Sequence, residues 1–252
     1  MAIDLNCDVG ESYGAYAIGA DEELLRIATS ANIACGFHAG SAATMRRAVE
    51  IAAREGAAIG AHPGFPDLEG FGRRKMDMSA REIYETTLYQ IGALSAFARA
   101  VAGERISHVK AHGALYHALN ESDELAEAFA RAVRDFDADL AVVSLPDSAT
   151  IRAARALGLK TIREAFADRT YHTGGGLTPR NQANALHSTP EAAAAQAVSI
   201  ALRGEVLATD GTILRLEADT ICLHGDAPES VRFARAVAEA LQAAGCDLRR
   251  AR

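Results

Sequence analysis

Seven short apolar runs, at residues 3–6, 32–35, 58–61, 107–110, 140–144, 160–163 and 220–223, alternate with longer alanine-rich amphipathic stretches along this chain of 252 residues. Each run is short and mostly apolar, as expected of a strand buried on both faces of a parallel sheet. The stretches 21–29, 42–54, 79–101, 122–135, 146–156, 190–203 and 229–244 have helical length and spacing. Ser79 with Glu82, and Thr189 before Pro190, mark helix starts, while Gly56, Gly158 and Gly245 mark stops. Strand and helix in alternation give parallel strands joined by right-handed crossovers, either as an open doubly wound sheet or as a closed barrel. An open sheet gathers its ligands where the strand order reverses. Here most strands end in a polar cluster, which suits a ring of loops. The expectation is a distorted TIM-like (β/α) barrel of about seven parallel strands. It spans residues 1–252 as one domain, since no Pro/Ser-rich or charged linker divides the chain and a barrel takes roughly 250 residues.

Two segments depart from the repeat. Residues 205–217 alternate around Asp210-Gly211, which predicts a β-hairpin outside the barrel. The stretch 167–187, with Gly174, Gly175 and Gly176, is too long for a routine connection and is expected to act as a binding loop or lid.

A net charge of −7 argues against nucleic-acid binding, and the Arg74-Lys75 pair and the tail arginines Arg249, Arg250 and Arg252 are small basic spots without an accompanying motif. Met1-Ala2-Ile3 leads into the first strand without signal-peptide features, and no apolar run approaches the roughly 20 residues that cross a bilayer, so a cytoplasmic protein without membrane contact is expected. Cys7, Cys35, Cys222 and Cys246 form no CxxC pair and are expected to be reduced and partly buried. The absence of P-loop, GxGxxG, GxSxG and HExxH patterns makes an independent nucleotide domain unexpected.

The strand ends carry the chemistry. Asp8 and Glu11 follow the first strand and suit a general base or a metal ligand, or, alternatively, an Asx-turn or helix cap. His38, His62 and His112 follow the next three strands. One histidine alone is more often structural, but three at one barrel mouth suggest a shared site, because imidazole suits proton transfer near neutral pH and metal ligation alike. His224 and Asp226 close the last strand. Glu164 to Arg169 places two carboxylates and a guanidinium after the sixth; Arg169 could grip a carboxylate or phosphate in a bidentate manner, or form a surface pair with Asp168. Arg73, Arg74 and Arg180 are further anion clamps. His108 and His117 fit core or surface roles, and His172 and His187 fit a solvated loop.

Motifs along nearly the whole length then identify a relationship: Asp4-Leu5-Asn6-Cys7-Asp8-Val9-Gly10-Glu11, Asn32-Ile33-Ala34-Cys35-Gly36-Phe37-His38-Ala39-Gly40, Gly60-Ala61-His62-Pro63-Gly64, His112-Gly113-Ala114-Leu115-Tyr116 and Cys222-Leu223-His224-Gly225-Asp226. In this order they resemble the LamB/YcsF family. The resemblance implies a barrel related to carbohydrate deacetylases. It also implies ATP-dependent opening of 5-oxo-L-proline to L-glutamate with partner subunits B and C, ATP serving as co-substrate with Mg²⁺. The expected catalytic residues are Asp8, Glu11, His38, His62, His112, Asp168, His224 and Asp226, and the expected substrate-binding residues are Asn6, Arg73, Lys110, Tyr116 and Arg169. Two alternatives stand beside this reading. One is a metal-dependent deacetylase or amidohydrolase that needs no ATP, with Asp8, His38 and His62 on a divalent ion; the other is a non-catalytic substrate-binding subunit. The chain departs from the family pattern at Ser41-Ala42, where Asp-Pro often stands, and at Ala111, where proline often precedes the histidine.

Overall fold

The seven apolar runs form seven parallel strands: β1 (Ala2–Val9), β2 (Ser30–Ala34), β3 (Ala58–His62), β4 (His108–Lys110), β5 (Ala141–Ser144), β6 (Lys160–Phe166) and, after the hairpin strands β7 (Glu205–Leu207) and β8 (Ile213–Arg215), β9 (Thr220–Leu223). β9 pairs with both β6 and β1, which closes the ring in the order β1-β2-β3-β4-β5-β6-β9. The structure is a computed structural model that describes residues 1–226 and 229–251. Arg252 of the basic tail therefore lies outside the described residues. A two-residue strand, β10 (Asp247–Leu248), pairs with the start of β1 and is too short to leave a periodic signature in the sequence.

The helices cover the outside of the ring: α1 (Asp21–Leu25), α2 (Ala42–Glu55), α3 (Ala80–Phe97) with a π-helical turn at Ala98–Ala102, α4 (Gly113–Glu121), α5 (Asp123–Phe136), α6 (Ala149–Ala156), α7 (Pro190–Arg203) and α8 (Ser230–Ala243). The predicted starts are real. Ser79 and Glu82 form a reciprocal capping box, and Thr189 caps α7 with Pro190 in its first turn. Ser41, at the family departure, caps α2 through its hydroxyl. α4 was not expected; it opens on Gly113 without a side-chain cap, so none of the usual start signals marks it. α1 is shorter than expected because Thr29, whose hydroxyl donates to Asp4 Oδ1 at 2.6 Å, draws the chain into β2.

Alternation along each strand divides the core in two. Leu5, Ile33, Ile59, Val109, Val142 and Ile221 are buried in the main apolar cluster. Most of the residues between them point into the barrel and are polar, Asp4, Ser30 and Thr220 in the lowest layer, then Asn6, Asn32 and His108, then Asp8, His62, Lys110 and Glu164 towards the strand C-termini, while Ala141 and Val143 on β5 and Ile162 on β6 give that side of the interior a small apolar cluster. The hairpin pairs antiparallel as expected. The 167–187 stretch holds no helix or strand and is pinned by isolated bridges at Arg169 and Tyr171. All four cysteines are buried and free. Among the described residues no helix is long and apolar enough to cross a membrane.

The interior is filled to the point that β3 needs a glycine. A β-carbon on Gly60 would sit 2.0 Å from His108 Nε2. Gly60→Ala must displace that ring from its hydrogen bond to Asn32, so urea denaturation should show a loss of about 1–3 kcal/mol, the usual cost of overpacking.

Candidate active site

Lys110, at the end of β4, sends its ammonium across the barrel. Nζ lies 3.0 Å from Asp8 Oδ1 and 3.2 Å from Asn6 Oδ1 on β1, and 3.0 Å from Cys222 Sγ on β9. It lies 2.7 Å from Glu164 Oε1 on β6, an ion contact in which the Glu164 oxygens lie outside hydrogen-bonding geometry. Burial works against the charge on Lys110, but Asp8, Cys222 and Glu164 outweigh it and hold the ammonium well above its ordinary pKa. Asp8 shows the counterpart. Burial pushes its carboxyl up, while His62 and Lys110 more than offset that and keep it well below the usual carboxylate range. Asn32 Nδ2 donates to Asn6 and Asp8 at 2.7 and 2.8 Å, and its carbonyl accepts from His108 Nε2 at 2.9 Å. Burial depresses the His108 pKa to about 3, so it stays neutral in that role. Asn6, expected to touch substrate, instead lies a layer below the mouth and positions Lys110.

His38, His62 and His112 come together with Glu11. The His38 ring stacks on His112 with centroids 3.7 Å apart and planes 2° from parallel, and His62 meets both edge-on. Glu11 Oε1 is 3.4 Å from His38 Nε2 and 3.5 Å from His112 Nδ1. Ligand atoms of these four buried residues all lie within 4.8 Å of one another and could hold a metal ion. Asp8 Oδ2 approaches His62 Nε2 at 3.4 Å, but its other oxygen is turned to Lys110 and Asn32. The converging set thus adds Glu11 and His112 to His38 and His62. Burial and the neighbouring histidines lower the pKa of His38 and His112; burial with Asp8 and Asp226 nearby raises that of Glu11. Glycines make this packing possible: a β-carbon on Gly64 would lie 2.5 Å from His38 Nδ1, and one on Gly72 would lie 2.6 Å from His38 Cβ.

Nearer solvent, His224 Nδ1 is 2.8 Å from Asp168 Oδ2, and Arg73 Nη2 is 2.6 Å from Asp226 Oδ2. The Asp168–Arg169 surface pair does not form. Arg169 is buried, donating to the carbonyls of Thr178 at 2.6 Å and Ala185 at 3.3 Å, so it ties down the 167–187 loop. A cavity at the mouth is lined by Asp8, His62, Lys110 and His112 together with Tyr116, His117, Phe166, Leu177, Arg73, Arg169, Arg180 and His224. The Tyr116 hydroxyl is buried without a hydrogen-bond partner among the described residues. Glu164 and Phe166 were visible as part of a strand-end motif, but nothing in the sequence singled out Glu164 as the partner of Lys110. His117 reaches the cavity because α4 follows His112 directly.

Comparison with known proteins agrees with this architecture. A protein of Bordetella pertussis named as the A subunit of 5-oxoprolinase is 51% identical over 244 residues, covering 97% of this chain and 96% of its own. The crystal structure of the lactam utilization protein from Thermus thermophilus superposes with a TM-score of 0.94 at 48% identity, covering 99% of both chains. The catalytic domain of a peptidoglycan N-acetylglucosamine deacetylase from Eubacterium rectale shares the fold, with a TM-score of 0.51 at 11% identity over 98% of this chain and 87% of that one. The family model described as LamB/YcsF matches residues 3–252, and the chain belongs to the LamB/YcsF family.

Proposed function

We propose that this chain works as the A subunit of a cytoplasmic, ATP-dependent 5-oxoprolinase, opening 5-oxo-L-proline to L-glutamate together with subunits B and C while ATP becomes ADP and phosphate. The observation that carries the reading is the 51% identity over 97% of the chain to a protein named for that activity. The mouth suits the chemistry: it offers Arg73 and Arg180 to a small carboxylate or a phosphate, and His224 to a reacting amide.

A five-membered lactam is a resonance-stabilised amide and a poor electrophile. Attack of its carbonyl oxygen on the γ-phosphorus of ATP, whose Mg²⁺ screens the phosphate charge, releases ADP and leaves an activated ring carbon. Water then adds to that carbon, the ring C–N bond opens onto a protonated nitrogen, and hydrolysis of the remaining phosphate bond with a second water yields glutamate. In this scheme Asp168 holds the Nδ1 proton of His224 and leaves Nε2 free to take a proton from water. Lys110, whose three N–H groups are taken by Asp8, Asn6 and Cys222, adds only the field of its positive charge to oxygen at the mouth.

A second reading, a metal-dependent amidohydrolase that needs no ATP, is favoured by the convergence of Glu11, His38, His62 and His112. Glutamate release from 5-oxoproline separates the two. Mixing the purified chain with subunits B and C should give release that requires ATP. No ATP-dependent release from any mixture overturns the main reading, and ATP-independent release by the chain alone supports the second.

His224→Ala and Asp168→Asn should each lower kcat of the assembled enzyme by about 10²–10⁴-fold, the range for loss of a general base, with smaller changes in KM. Unchanged turnover with assembly intact would mark the barrel as a binding component. Lys110→Ala strands Asp8 and Glu164 as buried charges, so chemical denaturation should reveal a loss of about 3–5 kcal/mol. Replacing Asp8 and Glu164 by Asn and Gln in that background should recover part of it.

A further inference from the structure

Hydrogen bonding fixes the tautomers of two of the clustered histidines. A carbonyl oxygen accepts and never donates, so the contact of His62 Nδ1 with the Lys110 carbonyl at 2.8 Å places the proton on Nδ1. The contact of His112 Nε2 with the Phe71 carbonyl, also 2.8 Å, places its proton on Nε2. The opposite nitrogens, His62 Nε2 and His112 Nδ1, then carry lone pairs in the neutral rings, and they face each other at 3.1 Å. Glu11 Oε1 points at the same spot, and this oxygen and both His38 ring nitrogens have no hydrogen-bond partner among the described residues. Lone pairs and a carboxylate oxygen facing one another out of water repel unless a cation lies between them. The nearby cations are engaged elsewhere: Lys110 by Asp8, Asn6, Glu164 and Cys222, and Arg73 by Asp226.

We infer that Glu11, His38, His62 and His112 form a binding site for one divalent transition-metal cation of the zinc type. Ligand atoms 2.0–2.1 Å from a tetrahedral ion lie about 3.3–3.4 Å apart. Three of the six separations are close to that value, 3.1 Å for His62 to His112, 3.4 Å for Glu11 to His38 and 3.5 Å for Glu11 to His112, and all six lie within 4.8 Å, so the ligands must draw in by small side-chain shifts around the ion. Three imidazoles and one carboxylate select zinc, cobalt or iron over magnesium, so this ion is distinct from the Mg²⁺ that accompanies ATP. The surroundings orient the ligands as metal sites require, each ring N–H of His62 and His112 being held by a main-chain carbonyl. Phe71 adopts a left-handed φ of 55°, an unfavourable conformation for an aromatic residue, and its carbonyl is the one that receives His112. A cation held there supplies Lewis-acid polarisation of an oxygen or activation of water. The site stands on its own geometry and does not depend on the identity of the substrate.

The competing occupant is a shared proton, and metal analysis distinguishes the two. The full chain, purified without chelator or metal-affinity resin, should carry about one transition-metal ion by mass spectrometry. After stripping, titration with Co²⁺ should give the intense visible absorption of a four-coordinate ion and saturate at one equivalent. Glu11→Gln, which preserves volume, and His112→Gln should weaken Co²⁺ binding at least about tenfold with circular dichroism unchanged, whereas His172→Asn, in the distant glycine loop, should bind as the parent does. Failure of the folded parent to bind Co²⁺ or Zn²⁺ stoichiometrically overturns the inference and leaves the proton. Parent-like binding by Glu11→Gln also overturns it, by placing the ion elsewhere. Glutamate release is not the readout, so this site and the 5-oxoprolinase reading can fail independently.

Discussion

The ammonium of Lys110 inside the barrel is the interaction on which the rest of the mouth depends. It joins β4 to β1, β6 and β9, strands on different sides of the ring, donating to Asp8, Asn6 and Cys222 and pairing its charge with Glu164. Two carboxylates and a lysine out of contact with water are tolerable only as a closed set, because each charge left without its partner bears the full desolvation penalty. The set also fixes its neighbours. Asp8, oriented by Lys110 and Asn32, presents its other oxygen to His62, and the main-chain carbonyl of Lys110 itself holds the His62 ring.

Around that centre the barrel trades apolar filling for polar layers and uses glycine to make room. Gly60 admits the His108 ring, and Gly64 and Gly72 admit His38. Such an interior has little capacity to relax, which is useful where imidazoles must hold a given tautomer and direction. The outer rim is built differently. Asp168–His224 and Arg73–Asp226 are pairs between loops, partly open to solvent and so able to rearrange around a ligand.

Much of the architecture was legible because its signals are local. Every strand but β10 and most helices follow from patterns within a few residues and from end signals such as Ser79 with Glu82. α4 and β10 escaped for the same reason: one lacks a capping signal and the other is two residues long. The histidines were legible as a group, since equivalent strand ends in a closed barrel must meet at one mouth. Arg169 shows the limit of that argument. It lines the mouth where its position suggested a ligand clamp, yet carbonyls from the following loop also hold two of its guanidinium nitrogens, and those carbonyls carry no mark in the side-chain sequence.

The sequence by itself determined the repeating strand-helix unit, the closure into a barrel, the hairpin, the family, and the residues that surround the mouth. Tertiary structure alone decided which atoms face which: Asn6 beneath the site, Glu164 beside Lys110, and Glu11 with His112 in the imidazole cluster. Hydrophobic periodicity is written within one element and can be read along the chain. Pairings such as Lys110 with Asp8 and Asn6 with Thr220 join residues 102 and 214 positions apart, and depend on strand register and side-chain rotamer, which exist only once the ring has closed.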